Sequence, residues 1–408
     1  MKKAVEICMM KLMKIAMAGG IALMVCFANA DVIRMGPVRT QNTGYKEVDP
    51  QSVDWAAAAE QGTQSLLKHY WNASGHYFNG RNDADNFNYW PQAHAMDAVI
   101  DAYLRTKDPQ YKAYFEQWHK GIYAKNGDGY WNVFYDDMEW IGLTMLRLYD
   151  ATQDKRYLET AQRLWRFVKY GWDEVYVDGG ISWREDQPWS KNACSNGPGC
   201  LFASRMYRVT HDEADKEWAV KIYKWEREHL FNPETGAIAD NIDGRSMRKA
   251  GFNLSYNQGL FLGAAHELYQ LTGEKSYLED AQLAALFTIT ARQTLDRRNG
   301  ILRDEGKDDG GLFKGIFMRY FVLLMLDEHI KPENRKQFRE FLYHNADVLW
   351  NRGRDRERCL FGSSWAAVPE GSVTLTCQTS AVMFLEAVAF YERSLAAKKG
   401  SGDSKVEK

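Results

Sequence analysis

Asp136 and Asp137 stand side by side in Asn132–Trp140, NVFYDDMEW, framed by Phe134, Tyr135, Met138 and Trp140. Two carboxyl groups in an apolar, aromatic setting do not both ionise cheaply, so one of them holds its proton to higher pH. A protonated acid beside a carboxylate is the pairing that glycoside hydrolysis uses. The simpler role is capping, since aspartate at a helix start accepts backbone N–H bonds and suits the positive end of the dipole. A second pair, Asp308-Asp309, lies among Gly306, Lys307, Gly310 and Gly311. That flexible, solvated setting assigns it mainly to capping.

Other polar side chains gather at the starts of apolar helical segments. Gln92 and His94 open one such segment and suit sugar hydroxyls. Lys191, Asn192, Ser195 and Asn196 open another, and Asn257 and Gln258 take the matching place on a third. Lys314 lies in a mostly apolar segment, and a buried ammonium needs a carboxylate, for which Asp136, Asp137 and Asp309 are the candidates. Trp90, Trp183 and Trp365 fall in linkers and offer flat faces to sugar rings, with anchoring of the loops in the core as the competing role. Gln378 is the last polar residue of this kind.

The elements that position these groups are helices. Tyr103–Phe115, Tyr149–Ala161 and Tyr269–Ala281 share Tyr-x-x-Thr, a polar turn and an amphipathic stretch, and Tyr207–Ala219 is a looser copy. Their tyrosines fall 46, 58 and 62 residues apart, the mark of a repeat architecture. Before each turn the chain is apolar nearly all round, as in Ile141–Tyr149. After it, residues such as Tyr157, Ala161, Leu164, Trp165 and Val168 form one stripe. The pattern predicts twelve helices. Outer ones start near residues 51, 109, 155, 212, 275 and 333, and inner ones near 91, 136, 192, 254, 310 and 374. Six hairpins closed into a ring make an all-α (α/α)6 toroid, with a linear solenoid as the alternative. The outer-to-inner linkers are long and irregular, which places the site on their face, at the N-termini of the inner helices.

With those residues in view, the sequence resembles a known family. YDDMEW, WPQAH (Trp90–His94), KNACSNGP (Lys191–Pro198), SYNQG (Ser255–Gly259) and LFKGIFMRY (Leu312–Tyr320) together are similar to the glycoside hydrolase family 76 endo-α-1,6-mannanases. The resemblance runs from about Asp54 to Tyr391. It implies an (α/α)6 fold, cleavage of α-1,6-linked mannan with retention, Asp136 as nucleophile and Asp137 as acid/base. Adjacency alone does not say which aspartate is which.

Composition bounds the remainder. The 408 residues carry a formal charge of −2, which leaves no basic surplus for nucleic acid or anionic lipid. Aromatics reach 13%, with 14 Trp and 22 Tyr, suited to helix contacts and to sugar platforms alike. Residues 1–30 combine scattered lysines, an apolar run and a small-x-small end at Ala28-Asn29-Ala30, the pattern of a signal peptide. Cys26 as a lipoprotein cysteine would follow Val25, where a small residue is expected. An extension (31–50), a catalytic domain (51–395) and a polar, disordered tail (396–408) are expected to follow. Cys194, Cys200, Cys359 and Cys377 allow three full pairings, which sequence does not choose among. The expected protein is an exported monomer acting on α-1,6-mannan, without metal or organic cofactor. Its rivals are an epimerase, for which His94 and His266 are the inner-helix histidines; an unsaturated-uronide hydrolase, for which Arg184 is the loop cation; and a non-catalytic glycan-binding protein.

Overall fold

The structure, a computed structural model, describes residues 48–403. The Tyr-x-x-Thr turns show how the repeat folds. In all four, the threonine hydroxyl donates to the carbonyl four residues back, at 2.8 Å for Thr106 to Ala102 and 2.7 Å for Thr152 to Leu148. The same oxygen accepts the N–H of Asp108, Asp154, Asp212 or Glu274, two residues on. Between them Lys107, Gln153, His211 or Gly273 takes a left-handed conformation. Its N–H returns to the tyrosine carbonyl and closes the helix. Asp108, Asp154 and Asp212 then cap the next helix with their side chains. One short segment therefore ends one helix and starts its antiparallel partner.

Twelve α-helices follow among the described residues. The outer ones are α1 (Trp55–Tyr70), α3 (Pro109–Lys125), α5 (Lys155–Lys169), α7 (Glu213–His229), α9 (Lys275–Thr290) and α11 (Pro332–Asn351). The inner ones are α2 (Trp90–Thr106), α4 (Tyr135–Thr152), α6 (Ala193–Thr210), α8 (Ser255–Thr272), α10 (Gly310–Met325) and α12 (Leu375–Asp403). Each inner helix packs on the next, and α12 returns to α2, so the ring is closed as an (α/α)6 toroid. Two seams of that ring need glycine. A Cβ on Gly259 would come 2.5 Å from Phe317 Cα, and one on Gly315 2.6 Å from Ser380 Cα.

The expected signal segment, residues 404–408 and most of the extension lie outside the described residues. The expected boundary at 395 does not hold as the end of order, because α12 runs on to Asp403. Ala396, Ala397, Lys398 and Lys399 are good helix formers and continue it. Cys194, Cys200, Cys359 and Cys377 are free thiols, and no described helix is long and apolar enough to cross a membrane.

The outer-to-inner linkers carry more strand than their sequence signals. β1 (Trp71–Asn72) pairs with β2 (Tyr77–Phe78). β3 (Ser182–Arg184), β4 (Gln187–Asn192), β5 (Ala239–Asp243) and β6 (Arg248–Phe252) form one antiparallel sheet in that order. β7 (Leu295–Asp296) pairs with β8 (Ile301–Leu302). The β4–β5 pairing sets Asn192 opposite Asn241 and joins two successive linkers into a single wall.

At the other face the inner helices end in ion pairs. Asp101 accepts Arg147 and, at 2.6 Å, Arg319; Glu267 accepts Arg205 and Arg208 at 3.2 and 2.7 Å; Glu386 accepts Arg105 at 2.9 Å. Arg105 and Arg208 lie in the last turns of α2 and α6, where a cation offsets the negative helix end. These groups line a cavity of about 400 Å³.

Candidate active site

Asp136 and Asp137 occupy the first turn of α4, where the dipole favours negative charge. The Asp137 N–H donates to Asp136 Oδ1 at 3.1 Å, so Asp136 satisfies one of the helix's free donors. Both line a cleft of about 560 Å³ at the linker face. Asn88 and Trp90 bound it at the head of α2, and Trp140 lies one turn below the pair. The sheet contributes Trp183, Ser190, Asn192, Asp240 and Asn241. Cys194, Tyr256, Asp309 and Phe313 come from the heads of α6, α8 and α10. The Tyr256 and Phe313 rings stack at 3.8 Å and 8°. The lining carries four aspartates and, among the described residues, neither Lys nor Arg.

Burial dominates the electrostatics of the pair. It pushes Asp136 up to about 7, against hydrogen bonding from Cys194, the backbone and Trp183 that favours the carboxylate. Asp137 is pushed well above the ordinary carboxylate range by burial, by Asp136 and by Asp309. The pair therefore holds a proton through neutrality, and Asp137 is the last to give it up. One turn along α4, Glu139 is fully buried with neither carboxyl oxygen hydrogen-bonded. Burial, then Asp136 and Glu226, push it up as well. Glu226 on α7 is equally buried and unpartnered, and burial raises it too.

Several residues expected to face a ligand hold loops instead. Gln92 accepts the Phe78 N–H at 2.8 Å and donates to the Phe78 and Asn88 carbonyls at 2.7 and 3.0 Å. Asn196 does the same for the Ile181 N–H and C=O, at 2.8 and 3.0 Å. Gln258, oriented so that both ends of its amide are satisfied, takes the Ile238 N–H at 2.7 Å and the Gly236 carbonyl at 3.0 Å. Gln378 accepts the Phe361 N–H at 3.0 Å and donates to the Cys359 carbonyl at 3.1 Å. All four amides are buried near the head of an inner helix, and each pins the strand-like return of the linker before it. None lines the cleft.

The two lysines are likewise internal. Lys191 is fully buried and donates to the Gly180 and Asp173 carbonyls and to Ser182 Oγ; burial pushes it down to about 8 against the pull of Asp173. Lys314 donates to the Ser363 carbonyl and sits over the Trp365 ring. Its carboxylate neighbours are Glu305 and Asp304, not Asp136, Asp137 or Asp309, because its side chain runs toward the 363–365 loop rather than the cleft. Trp365 stacks on Phe384 in the core and offers no platform.

His94 lies under the cleft wall, its ring 4.6 Å from Trp140 and 5.7 Å from Trp90, and burial pushes it down to about 3. Ser195 is fully buried without a hydrogen-bond partner. Asn257 donates to Asp240 Oδ1 at 2.8 Å. Trp90, Trp183 and Asn192 are thus the expected binding residues that meet the aspartate pair in one cleft.

Asp309 corrects the capping assignment, since its side chain caps nothing and instead accepts the Trp90 indole N–H at 2.9 Å. Asp240 was not foreseen; the adjacent Asp240-Asn241 in a long linker was its only signal. Arg184 lies over the Phe134 ring and pairs with Asp186, outside the cleft lining. His266 pairs with Asp327, away from the cleft.

Known proteins share this frame. The sequence model described as Glycosyl hydrolase family 76 matches residues 54–399. An inactive variant of the α-1,6-mannanase GH76A of Salegentibacter sp. HEL1_6, with two neighbouring aspartates replaced by alanine and α-1,6-mannotetrose bound, is similar at 41% identity and a TM-score of 0.79, over 83% of this chain and 100% of that one. The Lin0763 protein of Listeria innocua is similar at 32% identity and a TM-score of 0.76, over 83% of this chain and 98% of that one. The mannan endo-1,6-alpha-mannosidase DCW1 of Saccharomyces cerevisiae is 26% identical over 231 residues, 52% of this chain. That match spans about half of the yeast protein, 49% of its length.

Proposed function

We propose that this chain, which belongs to glycosyl hydrolase family 76, hydrolyses α-1,6-mannosidic bonds within a mannan backbone and retains the anomeric configuration. The observation that carries the reading is the adjacent pair on the first turn of α4, Asp136 buried and Asp137 half-buried, in a cleft whose lining among the described residues supplies no Lys or Arg to neutralise either. The Salegentibacter mannanase supports it, since a variant lacking two neighbouring aspartates is inactive and binds α-1,6-mannotetrose.

Asp136, the first of the pair to ionise, attacks the anomeric carbon. The bond from that carbon to the glycosidic oxygen breaks as Asp137 gives the oxygen its proton. Water then attacks the same carbon, Asp137 takes the water's proton, and the bond to Asp136 breaks. Two displacements restore the starting configuration. Hydrogen bonds that favour the Asp136 carboxylate suit a nucleophile, and the stronger hold on the proton at Asp137 suits an acid. Trp90, Trp183 and the stacked Tyr256 and Phe313 supply apolar faces for sugar rings, and Asn192, Asn241 and Asp240 supply hydroxyl partners. Export and action as a monomer remain part of the proposal.

The rival enzymes fit less well. A uronide needs a cation for its carboxylate, and the cleft lining offers none. Paired histidines for epimerisation do not meet, because His266 is bound to Asp327. The test is to incubate the purified protein with debranched mannan and α-1,6-manno-oligosaccharides and to follow product anomers by proton NMR. Internal cleavage with the α-anomer formed first is expected. Absence of products would favour a glycan-binding protein, and a β-anomer formed first would overturn retention.

A further inference from the structure

Asp309 stands where a helix cap is expected, yet its carboxylate reaches from the head of α10 to the Trp90 indole on α2. α12 lies between those helices in the ring, so this bond joins two elements that are not ring neighbours. Both side chains line the cleft that holds Asp137. The titratable groups that act on Asp137 are Asp136 on its own helix, Asp309 from α10 and Tyr89 just before α2. Cys194 of α6, Asp240 of β5 and Tyr256 of α8 complete the titratable lining, and no Lys or Arg joins them among the described residues. Asp309 is exposed to water and accepts the Trp90 indole N–H at 2.9 Å.

We propose that Asp309 is a positioning residue for proton transfer: anchored by Trp90, its charge holds the proton on Asp137 until the glycosidic oxygen takes it. The inference rests on the reading of Asp137 as acid/base. Its sharpest consequence falls in the second displacement. While Asp136 is free, its own charge keeps Asp137 protonated. Once Asp136 is esterified to the sugar that charge is gone, and Asp137 must now accept a proton from water. Asp309 is not consumed, so it keeps Asp137 basic through the step in which Asp136 cannot.

The test compares kcat/KM against pH on an α-1,6-manno-oligosaccharide for the wild type, Asp309→Asn and Trp90→Phe. The basic limb should move to lower pH by about one unit in Asp309→Asn, and by less in Trp90→Phe, where the carboxylate is present but loosely aimed. At about 1 M salt, where screening acts over roughly 3 Å, the wild-type limb should move the same way and the Asp309→Asn limb, left with the buried Asp136 alone, should move less. A basic limb shared by Asp309→Asn and the wild type, with only KM raised, would make Asp309 a sugar contact and overturn the inference. Carboxyl ¹³C NMR of aspartate-labelled protein, with Asp137→Asn for assignment, reads the same question without turnover. If Asp137 titrates alike with and without Asp309, the proposal fails whatever the activity; if the wild type hydrolyses nothing, it is the mannanase reading that fails.

Discussion

Replacing Gln92 by leucine separates two accounts of the same residue. As a sugar contact it would matter for KM. As a clamp it matters for folding. The change removes the partners of the Phe78 N–H and C=O, both held at under 2.9 Å in a fully buried setting. Leaving a buried polar group unpaired costs about 1–3 kcal/mol, so two of them cost about 2–6 kcal/mol. Leucine is close in volume to glutamine, so little cavity cost is added. That is a large part of the roughly 5–15 kcal/mol by which a domain is stable. Urea unfolding followed by tryptophan fluorescence should show a clear drop in midpoint with an unchanged slope. Gln378→Leu, which frees the Phe361 N–H in the same way on α12, should fall by a similar amount. Stability within about 0.5 kcal/mol of the wild type, the scatter of ordinary surface changes, together with a tenfold rise in KM would refute the clamp and restore Gln92 to the binding site.

Other outcomes follow from the cleft and the groups beneath it. Asp136→Asn and Asp137→Asn should each lower kcat on a manno-oligosaccharide by at least about 10²–10⁴-fold with an unchanged circular dichroism spectrum. Azide should restore turnover to Asp136→Ala with inverted product, and its failure to do so would count against Asp136 as nucleophile. The free-enzyme profile should lose activity as pH falls through about 7, where Asp136 takes up its proton, and lose it again at higher pH as Asp137 ionises; a plateau reaching down to pH 5 would contradict the electrostatics. Glu139 and Glu226 have folded-state values raised above the ordinary 4.5. Their contribution is complete below that value and declines as pH rises toward the folded values. Glu139→Gln and Glu226→Gln should therefore be more stable than the wild type at pH 8 and close to it at pH 4, as thermal melts at the two pH values will show.

The ring was legible because its rules are local. At four turns Tyr-x-x-Thr carries its own helix stop and left-handed residue, and the alternation of apolar and amphipathic stretches supplies the other helix starts to within a few residues. The sheet was not legible, because β4 and β5 are about fifty residues apart and their pairing is set by the ring that carries them. The aspartate pair and two of the three cleft tryptophans, Trp90 and Trp183, were singled out from their apolar frame and their linkers. The amides misled because a glutamine at the head of an inner helix has one sequence and two possible directions. Gln92 and Gln258 point back to the preceding linker, whereas Asn192 points into the cleft. Asp309 was hidden by its glycines, which suggest a loose cap, while its real partner Trp90 lies 219 residues away.

The ion pairs at the far mouth bear on how a polymer meets this enzyme. The cleft and the far cavity share no lining residue. Between them Thr144 ties α4 to Ala93 and Asp97 of α2. The hole of the ring is therefore a dead end, not a tunnel. A polysaccharide cannot be threaded through it from a free tip; it has to be laid across one face, with both tails outside. On the proposed function, access then depends on an exposed stretch of backbone rather than on chain ends, so the number of sites scales with the length of the mannan.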